Sequence, residues 1–495
     1  MKESATTTRP PVVAIMGHID HGKSTLLDYI RKSNIVAGEA GGITQHLSAY
    51  EISVPYQGGT RSITFLDTPG HAAFTGMRER GASAADIAIL VVSAEDGVKA
   101  QTIEALKTIR NAKIPFIIAI NKIDRPEANI EKTKLSLSEH EVLVEGFGGD
   151  ISWVGISAKI GTNVPDLLET ILIVADMEDF KYTPTKSAEG IVIESRLEPK
   201  RGMAATVIIK DGTLKKGQFL VAGTSYTTTR IMENFLGKTI DAAPAGTPVQ
   251  LVGFDALPEV GAAIVVFDKK RDAEDYIEET ISSQGKKADA VLSGDRKVVP
   301  LIIKTDVFGT AEAIEKEIKK INIEGLHVKI IGKGIGAIGE SDIKMAQSDK
   351  ETIILGFNST LDASGRDLNE KVGANIQTFD IIYKLTEWLE IELEKRRPRV
   401  ENREVIGTAK VIKTFSKTKE RQVIGCRVLS GTIALGAKVS VLRRDFPLTE
   451  GTIVEVQQAR QKLKEISEGE AGLMVECKTD IADGDILEAF IMVTK

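Results

Sequence analysis

An eight-residue stretch near the start of the chain, residues 17–24 (GHIDHGKS), constrains the fold more than any other feature. It directly follows the apolar segment 11–16, so the pattern predicts a strand, a phosphate-binding loop and the start of a helix. Glycines at both ends let successive backbone N–H groups point at phosphate oxygens, while Lys23 neutralises their charge. The Ser24 hydroxyl is a candidate ligand of Mg²⁺. The stretch therefore predicts a nucleoside triphosphate site.

Three further polar motifs follow short apolar runs downstream. Asp67 and residues 157–159 (SAK) each end such a run, and residues 121–124 (NKID) follow the apolar segment 114–120. An acidic residue at a strand end, such as Asp67, can reach Mg²⁺ through water. Because the carboxyl ends of parallel strands meet at one edge of a sheet, the four loops predict an α/β P-loop domain with its ligand at that edge.

The second and third of these motifs predict which base is bound. The two carboxylate oxygens of Asp124 can accept from the two adjacent N–H donors of guanine, which adenine lacks, so we expect GTP and GDP rather than ATP. The Lys122 stem can lie along the base, Asn121 can brace the loop, and the Ala158 N–H can meet guanine O6. The alternative is that Asn121 and Asp124 only cap the following turn. The predicted nucleotide-binding set is Gly17, His18, Ile19, Asp20, His21, Gly22, Lys23, Ser24, Thr25, Asp67, Gly70, Asn121, Lys122, Asp124, Ser157, Ala158 and Lys159.

Residues 39–46 (EAGGITQH) form a glycine-rich polar stretch with neither helical nor strand periodicity, which is typical of a switch loop beside a triphosphate. We expect Thr44 to bind Mg²⁺ and the γ-phosphate, and the Gly70 N–H to meet that phosphate from the other side. Loss of the phosphate would release both loops. The predicted Mg²⁺ ligands are thus Ser24, Thr44 and, through water, Asp67, and a monovalent cation is predicted near Asp20.

His71 is the candidate catalytic residue, because it immediately follows the Mg²⁺-linked segment and can rotate towards a water in line with the γ-phosphate. Ile19 and Ile43 are predicted to form an apolar gate around it. A lone histidine is more often a packing or surface residue, and that alternative remains.

Composition excludes several classes of protein. With 495 residues and 42% hydrophobic content, the chain is long enough for about three or four domains with cores of their own. It has no apolar run near the roughly 18 residues of a membrane span, and its first residues lack a secretory signal pattern. Two cysteines cannot form a disulfide framework or a four-cysteine zinc site. We expect a cytoplasmic protein with no membrane partner, acting as a monomer.

Changes in pattern along the chain predict the domain organisation. Short β-branched runs with glycine punctuation indicate a β-barrel after the first domain, and a strand–helix–strand pattern follows it. The predicted segments are 1–180 (GTP-binding domain), 187–268 (β-barrel), 269–296 (helical linker), 297–377 (small α/β domain), 378–398 (long connecting helix) and 399–495 (second β-barrel).

Three features of this organisation have alternatives. Residues 207–220 and 426–439 resemble each other, which indicates two barrels of one type or merely a shared hairpin turn. The connecting helix, about 30 Å long at 1.5 Å per residue, either holds the last barrel away from the body or packs on the preceding domain. Gly334, Gly336 and Gly339 have the spacing of a dinucleotide-binding loop, but no acidic partner follows at the proper place, so we discount NAD binding.

The net charge of −6 argues against an indiscriminate nucleic-acid binder, although the residues from 396 onward are the basic part of the chain. Within them a basic run faces only Glu420 in the sequence, and is either a solvated strand edge or a phosphate-contacting patch. The run comprises Lys410, Lys413, Lys417, Lys419 and Arg421.

Taken together, the motifs resemble those of the bacterial translation initiation factor two family. The stretches that carry the resemblance are 17–24, 40–46, 66–82 (LDTPGHAAFTGMRERGA), 121–128 (NKIDRPEA) and 198–217. The chain resembles a short form of this family, without the long N-terminal extension. It implies a ribosome-stimulated GTPase that places formylmethionyl initiator tRNA on the small subunit and promotes subunit joining. The implied partners are both ribosomal subunits, the initiator tRNA and other initiation factors.

The resemblance also implies a tRNA pocket in the last barrel, where Cys426 (VIGCRV) and Cys477 (MVECK) look like the two cysteines of the family's formylmethionine site. Formylation removes the charge of the amine, so a soft, weakly polar pocket can hold the blocked group. Two unrelated buried cysteines are the alternative. This chain has RQKLKEI at 460–466 and Lys478 where the family carries an aromatic residue and a glycine.

Other functions compatible with the sequence are an elongation-factor type of ribosomal or tRNA-handling GTPase, a GTP-gated assembly scaffold and, from another class, an NAD-linked enzyme. The middle α/β pattern and the last barrel argue against the elongation factor. Ribosome-stimulated phosphate release separates a GTPase from a scaffold, and guanine-nucleotide titration separates both from an NAD enzyme.

Overall fold

The computed structural model describes residues 6–31, 45–198, 200–283, 297–323, 325–397, 401–418, 420–444, 446–459 and 461–494. They belong to two compact units, Met1–Arg396 and Arg397–Lys495. The first unit holds an α/β domain, an antiparallel barrel-like domain and a second α/β domain, and the second unit is a β-barrel. The predicted multidomain fold class is thus confirmed. In the described part of the chain, no helix has the length and apolar character needed to cross a lipid bilayer.

The N-terminal domain is built on a mixed sheet whose strands lie in the order β3-β4-β2-β5-β6-β7. Its elements are β1 (Thr7–Thr8), β2 (Val12–Gly17), α1 (Lys23–Arg31), β3 (Ser48–Tyr56), β4 (Gly59–Asp67), α2 (Thr75–Ala84), β5 (Ile87–Ser93), α3 (Ala100–Ala112), β6 (Phe116–Asn121), α4 (Ile130–Ser138), β7 (Trp153–Gly155), α5 (Val164–Glu178) and β8 (Lys181–Tyr182). Strand β3 is antiparallel to β4, whereas β4, β2, β5, β6 and β7 run parallel.

Burial on both faces explains why the central strands are continuously apolar. Along β2, Ala14 and Met16 belong to the core on one side of the sheet, and Val13 and Ile15 to the core on the other side. A parallel sheet covered by helices on both faces needs this pattern. The carboxyl ends of the parallel strands therefore share one edge, at which the predicted motifs lie.

The next domain is a curled antiparallel sheet in the order β13-β12-β17-β9-β10-β16-β14, with β11 paired to β15. Its elements are β9 (Glu189–Glu198), β10 (Gly202–Asp211), β11 (Thr213–Lys215), β12 (Phe219–Ala222), β13 (Ser225–Thr228), β14 (Ile231–Glu233), β15 (Ala242–Pro244), β16 (Pro248–Val252), β17 (Ala263–Phe267) and the following helix α6 (Lys270–Ser283). Register shifts between β9 and β10, as at Thr206/Val207, bend the sheet around one interior core.

A buried ionic cluster joins this domain to the first one. The Asp86 carboxylate is paired with Arg9 and with the Lys210 ammonium (2.7 Å), and it also accepts from the Val12 N–H (2.9 Å). Burial alone would raise the pKa of Asp86, but the hydrogen bond from Arg9 and the charge of Lys210 lower it below its ordinary value. The three side chains come from β10, the segment before β2 and the segment before β5, so the cluster fixes these pieces together.

The second α/β domain extends the predicted strand–helix–strand unit to a parallel sheet in the order β19-β18-β20-β21. Its elements are β18 (Lys297–Thr305), α7 (Phe308–Ile318), β19 (Leu326–Ile335), α8 (Glu340–Ala346), β20 (Ile353–Phe357), α9 (Ala363–Val372), β21 (Asn375–Phe379) and α10 (Ile382–Lys395).

The predicted connecting helix 378–398 is wrong at its start. Thr378 and Phe379 pair with Gly356 and Phe357 as the end of β21, so the helix α10 begins at Ile382 and measures about 21 Å rather than 30 Å. Its buried stripe, which includes Leu389, packs into the core of the second α/β domain. Of the two predicted alternatives for this helix, the structure has the packed one.

The second unit is a closed barrel, because β25 pairs with both β30 and β26 and so completes the ring β25-β30-β22-β23-β29-β26. Its elements are β22 (Glu401–Thr418), β23 (Arg421–Gly431), β24 (Ile433–Ala434), β25 (Lys438–Arg443), β26 (Phe446–Gln458), β27 (Gln461–Leu463), β28 (Glu465–Ile466), β29 (Glu470–Cys477) and β30 (Ile486–Thr494). Apolar side chains of these strands fill its interior.

The predicted repeat between the two barrels has a structural counterpart. Gly212 directly follows β10 and Gly431 ends β23, with φ of +74° and +67°, and Gly217 and Gly436 lie just after the next short strands with φ of +90° and +80°. A Cβ at Gly212 or Gly431 would overlap a backbone carbonyl of a neighbouring segment, so both turns require glycine. Both barrels therefore share this strand–turn–strand segment, which either of the two predicted alternatives would explain.

Candidate nucleotide-binding site

The phosphate loop follows β2 and turns sharply at its two glycines. Gly17 has φ +143° and Gly22 has φ +89°, and Asp20 between them also has a positive φ, +65°. A Cβ at Gly17 would overlap the Val91 carbonyl oxygen, and one at Gly22 would overlap the Asn121 amide. The loop is therefore a backbone cradle that only glycine permits at these two positions, which fits close approach to a phosphate chain.

Lys23 is buried at the start of α1, with 6% of its surface exposed. Its ammonium donates to the carbonyl oxygens of Gly17 (2.9 Å) and His18 (2.6 Å). Burial lowers the pKa of Lys23 to about 8, although the charge of Asp67 opposes this shift. Gly70 packs directly on the ammonium, since a Cβ there would lie 2.5 Å from Nζ. A buried cation flanked by loop N–H groups is suited to bind an anion.

The predicted magnesium ligands Ser24 and Asp67 lie at neighbouring strand ends. Asp67 ends β4 and pairs in register with Ile15 of β2, just before the loop that leads to Ser24. Their hydroxyl and carboxylate oxygens are the donors that Mg²⁺ prefers, together with phosphate oxygens. No group of three or more His, Cys, Asp or Glu side chains able to hold a metal occurs among the described residues. Thr44 lies outside the described residues.

Asn121 joins the phosphate loop to the predicted base-reading loop. Its Nδ2 donates to the His21 carbonyl (2.8 Å), and its Oδ1 accepts from the Ala158 N–H (2.9 Å). The prediction that Asn121 braces the loop therefore has a direct geometric basis. In this structure the Ala158 N–H, which the sequence assigns to guanine O6, donates to Asn121, and its contact with the base stays a prediction.

Asp124 is exposed at this edge of the sheet, and its Oδ1 accepts from the Ser157 hydroxyl (2.6 Å). That hydrogen bond lowers the pKa of Asp124, so the carboxylate stays ionised and oriented. The Lys122 ammonium is paired with Glu95 (3.0 Å), which leaves its aliphatic stem to cover a neighbouring group. The arrangement can present a fixed carboxylate to a base with two adjacent N–H donors.

The remaining loop residues brace the cradle from several sides. His21 is buried beside the Val91 carbonyl and in edge-to-face contact with His18, and burial lowers its pKa to about 4, so it is neutral. The Ile19 N–H donates to Gln101 of α3 (2.9 Å), a partner that no sequence motif indicates. Thr25 and Lys159 are exposed at the loop margins. The other half of the predicted gate, Ile43, lies outside the described residues.

His71 is 9% exposed and packs against protein rather than standing in the open. Its Nδ1 accepts from the Ala73 N–H (2.9 Å), and its ring makes an edge-to-face contact with Tyr383. Burial lowers the pKa of His71, which favours the neutral ring. The buried guanidinium of Arg78 donates to the carbonyl oxygens of Pro69, Gly70 and His71 and so fixes the backbone of this segment. Arg78 lies within the motif stretch 66–82, but its contact with these carbonyl groups was not predicted, and Tyr383 lies outside every motif.

Both flanks of the site contact the second α/β domain. The Gln45 amide donates to the Asp380 carbonyl (2.9 Å), and the His46 ring lies 3.3 Å from the Asp306 carboxylate. Phe74 and Met77, which follow His71, belong to the apolar core of that domain. The loops that the sequence assigns to the γ-phosphate are thus connected to the second α/β domain by both hydrogen bonds and apolar packing.

The glycines at 334–339 do not form a dinucleotide cradle. Gly334 is still part of β19, and Gly339 precedes α8, a helix of seven residues. The Gly339 N–H already donates to the Asp342 carboxylate (2.9 Å), which is itself paired with Lys304 (3.1 Å). A carboxylate at this helix start disfavours a pyrophosphate there, in agreement with the discounted NAD prediction.

The two cysteines of the barrel lie in different surroundings. Cys426 is fully buried, its thiol contacts the Ala471 carbonyl (3.5 Å), and burial raises its pKa to about 11. Cys477 also lines a groove of about 390 Å³ together with residues such as Lys438 and Glu450, but Cys426 does not line it. The structure therefore does not bring both cysteines to one opening.

The basic run of the barrel has more acidic neighbours than the sequence indicated. Lys417 is paired with Asp480, and Arg421 with Glu476 (3.1 Å). The expectation that the run faces only Glu420 is wrong, because β29 and the loop after it bring these carboxylates alongside. Lys419 lies outside the described residues. The pairing favours a solvated strand edge for this part of the run.

The parallel sheet, the glycine cradle and the loops at one sheet edge define a P-loop nucleotide-binding protein with the loop order of the guanine-specific class. Residues 9–176 match the family model of the Elongation factor Tu GTP binding domain, residues 187–267 that of Elongation factor G domain 2, and residues 271–390 that of Translation-initiation factor 2.

Curated relatives match along nearly the whole chain. Translation initiation factor IF-2 of Aquifex aeolicus is 40% identical over 97% of this chain and 61% of its own length, and that of Bacillus cytotoxicus is 41% identical over 99% and 73%. The crystal structure of GDP-bound aIF5B from Aeropyrum pernix aligns with 98% of this chain and 92% of its own, at 25% identity and a TM-score of 0.46. The chain belongs to the translation initiation factor IF-2 family. It spans between 61% and 73% of the length of these two curated relatives.

Proposed function

We propose that this protein is a ribosome-stimulated GTPase of translation initiation. It binds GTP at the carboxyl edge of the first sheet, helps to place formylmethionyl initiator tRNA on the small ribosomal subunit, and promotes joining of the large subunit. Hydrolysis to GDP and phosphate then loosens the loops that hold the γ-phosphate. The activity is cytoplasmic and belongs to a monomer that works beside other initiation factors.

One observation carries the nucleotide part of the proposal. Asn121 bonds to the phosphate loop with one end of its amide and to the Ala158 loop with the other, so the base-reading carboxylate of Asp124 is held at a fixed place relative to the phosphate cradle. This geometry supports recognition of guanine and triphosphate by one rigid frame. Membership of the IF-2 family along almost the full chain supports initiation over elongation.

Each residue of the frame has a separate task. The cradle of Gly17 and Gly22 and the Lys23 ammonium bind the phosphates, and Ser24 and Asp67 hold Mg²⁺, which neutralises phosphate charge when bound. A monovalent cation near Asp20 adds to this charge balance. His71 orients the attacking water after its ring leaves the present packing, because a neutral imidazole can accept a hydrogen bond from that water.

Single-turnover phosphate release with and without ribosomes tests this assignment. We expect His71→Ala to bind GTP as the unmodified protein does but to lose about 10³-fold in ribosome-stimulated hydrolysis. His327→Ala, on β19 of the other α/β domain, is the matched control and should hydrolyse normally. Unchanged ribosome-stimulated hydrolysis in His71→Ala would mean that another group orients the attacking water.

The initiator part of the proposal concerns the barrel of Arg397–Lys495 and its cysteines. The groove at Cys477 gives this barrel an opening, and the match of the IF-2 relatives along nearly the whole chain includes the barrel. The test compares the affinity of the full chain for formylated and unformylated methionyl initiator tRNA. Tighter binding of the formylated form is expected, whereas equal affinity would remove the initiator role and leave the GTPase standing.

A further inference from the structure

The environment of His71 points to a residue far along the chain that controls it. The ring centroids of His71 and Tyr383 lie 4.2 Å apart with their planes at 82°, a close edge-to-face contact. We propose that Tyr383, in the first turn of α10, is a positioning residue that holds His71 docked, and that this contact must open before His71 can order the attacking water. The inference rests on the proposed function, since it concerns the same hydrolysis.

The docked ring is held from several directions. Phe74 makes a second edge-to-face contact at 5.9 Å, the Ala73 N–H occupies Nδ1, and Arg78 fixes the His71 carbonyl. With one nitrogen committed and nine-tenths of its surface covered, the ring has little left to offer a water. An imidazole that orders a water must present a nitrogen to it. Hydrolysis therefore requires this arrangement to rearrange.

Tyr383 is itself on a rigid support. Its neighbour Ile382, together with Leu385 and Leu389 further along α10, is buried in the core of the second α/β domain. The first turn of the helix cannot move towards or away from His71 unless that domain moves. The contact with Tyr383 therefore makes the freedom of His71 depend on the position of a whole domain.

A second contact, just before the start of α10, also links the nucleotide site to the second α/β domain. Gln45, at the end of the predicted switch loop, donates to the carbonyl of Asp380, three residues before Tyr383. Tyr383 is also close enough to Asp20 of the phosphate loop for that charge, after burial and Glu317, to raise its pKa. The start of α10 thus contacts the candidate catalytic histidine, and the residue Asp380 just before it contacts the end of the switch loop.

Charged groups also surround His71, but none of them belongs to α10. Besides burial, the pKa of His71 is influenced by Glu317 at the end of α7, by Lys320 just after it and by Arg78 of α2, with Glu317 opposing the other two. Ring packing is the contact that remains between His71 and α10. Aromatic pairs of this kind favour one arrangement by about three- to tenfold, so loss of the ring should release His71 by a similar factor.

The test measures phosphate release by the full chain in single turnover, without ribosomes and with them. The variants are Tyr383→Ala, Tyr383→Phe, His71→Ala and the double variant Tyr383→Ala with His71→Ala. Ile391→Ala, on the same helix but 59% exposed, is the matched control. We expect Tyr383→Ala to raise the ribosome-free rate about three- to tenfold, and Tyr383→Phe to stay near the unmodified protein because the ring remains.

The double variant must lose the gain, because the released residue is His71 itself. A gain that survives without His71, or a ribosome-free rate in Tyr383→Ala within twofold of the unmodified protein, would overturn the inference. Failure of the proposed function would look different, since then the unmodified chain would show no ribosome-stimulated, His71-dependent hydrolysis at all.

A spectroscopic measurement covers the case in which Tyr383→Ala does not fold. Tyr383→Leu keeps an apolar side chain but removes the ring, and the ring protons of His71 can be followed by NMR, with His71→Gln identifying the signal among the six histidines. We expect Tyr383→Leu to remove a ring-current shift and to raise the pKa of His71 towards its ordinary value as the ring becomes more exposed. Identical His71 spectra in Tyr383→Leu and the unmodified protein would refute the contact.

Discussion

Glu194 of β9 is expected to make the stability of the first unit depend on pH near neutrality. The side chain is 7% exposed, and its Oε1 accepts from the backbone N–H groups of Ser195 (3.0 Å) and Gly309 (3.4 Å). Its Oε2 has no hydrogen-bond partner within the part of the chain that the structure describes. Burial raises the pKa of Glu194 from 4.5 to about 7, although the two N–H groups and the charge of Arg80 oppose the shift.

The sign follows from proton binding. A carboxyl whose pKa is higher in the folded state keeps its proton there while the unfolded chain has lost it, so its contribution to stability is complete below pH 4.5 and is lost as the pH rises through about 7. At about 1.4 kcal/mol per pH unit, the loss between about pH 5 and pH 8 amounts to roughly 2 to 3 kcal/mol. Glu194→Gln cannot ionise, so its stability relative to the unmodified protein should rise by that amount over the same interval.

Urea unfolding followed by tryptophan fluorescence can measure this difference. In a Trp153→Phe background the signal comes from Trp388 of α10, which packs in the domain that contributes Gly309. Reading one domain avoids treating the whole chain as a two-state system. Glu79→Gln, an exposed carboxylate on α2, is the control and should show no such trend. A constant difference between Glu194→Gln and the unmodified protein across this pH range would mean that burial does not hold the carboxyl protonated.

Two further predictions concern the buried ionic cluster and the base-reading loop. Asp86→Asn should destabilise the first unit by about 3 kcal/mol in thermal unfolding, because it leaves the Lys210 ammonium without its buried partner. Adding Lys210→Met should recover part of this loss. Equal stability of Asp86→Asn and the unmodified protein would contradict the prediction. Asp124→Asn replaces a hydrogen-bond acceptor by a donor. In nucleotide titrations we therefore expect the affinity for guanine nucleotides to fall by about 10²-fold or more, and the affinity for a xanthine nucleotide, with a C2 carbonyl, to rise. A retained preference for guanine would mean that another residue recognises the base.

Local sequence patterns were sufficient to predict the frame of the first domain. The apolar run before Gly17 leads into a phosphate-loop pattern, and three further motifs follow apolar runs downstream, so the strand, cradle and helix start could be placed together. The role of Asn121 as a brace was predictable for the same reason, because motif and strand end coincide. The hydrogen bond from the Ala158 N–H to Asn121 was not predictable, since it depends on the folded positions of two loops.

Contacts between distant segments account for the features that the sequence did not predict. Tyr383 lies more than three hundred residues from His71 in the sequence, and nothing in the helical pattern of α10 distinguishes an aromatic side chain that meets another domain from one that is merely exposed. Thr378 and Phe379 were assigned to a helix because their strand partner, the end of β20, is recognisable only once the parallel sheet has formed. The acidic neighbours of Lys417 and Arg421 likewise come from β29 and the loop after it, some sixty residues further on.

The closed barrel has a mechanical consequence. Its chain enters along β22 and leaves along β30, and Glu401 and Thr494 lie opposite each other on these antiparallel neighbours. A force that draws the two ends apart would load the hydrogen bonds between β22 and β30 one rung at a time rather than all at once. The barrel should therefore unfold at low force when it is pulled from its own termini, because the hydrogen bonds break one after another. It should resist a force applied across its other strands.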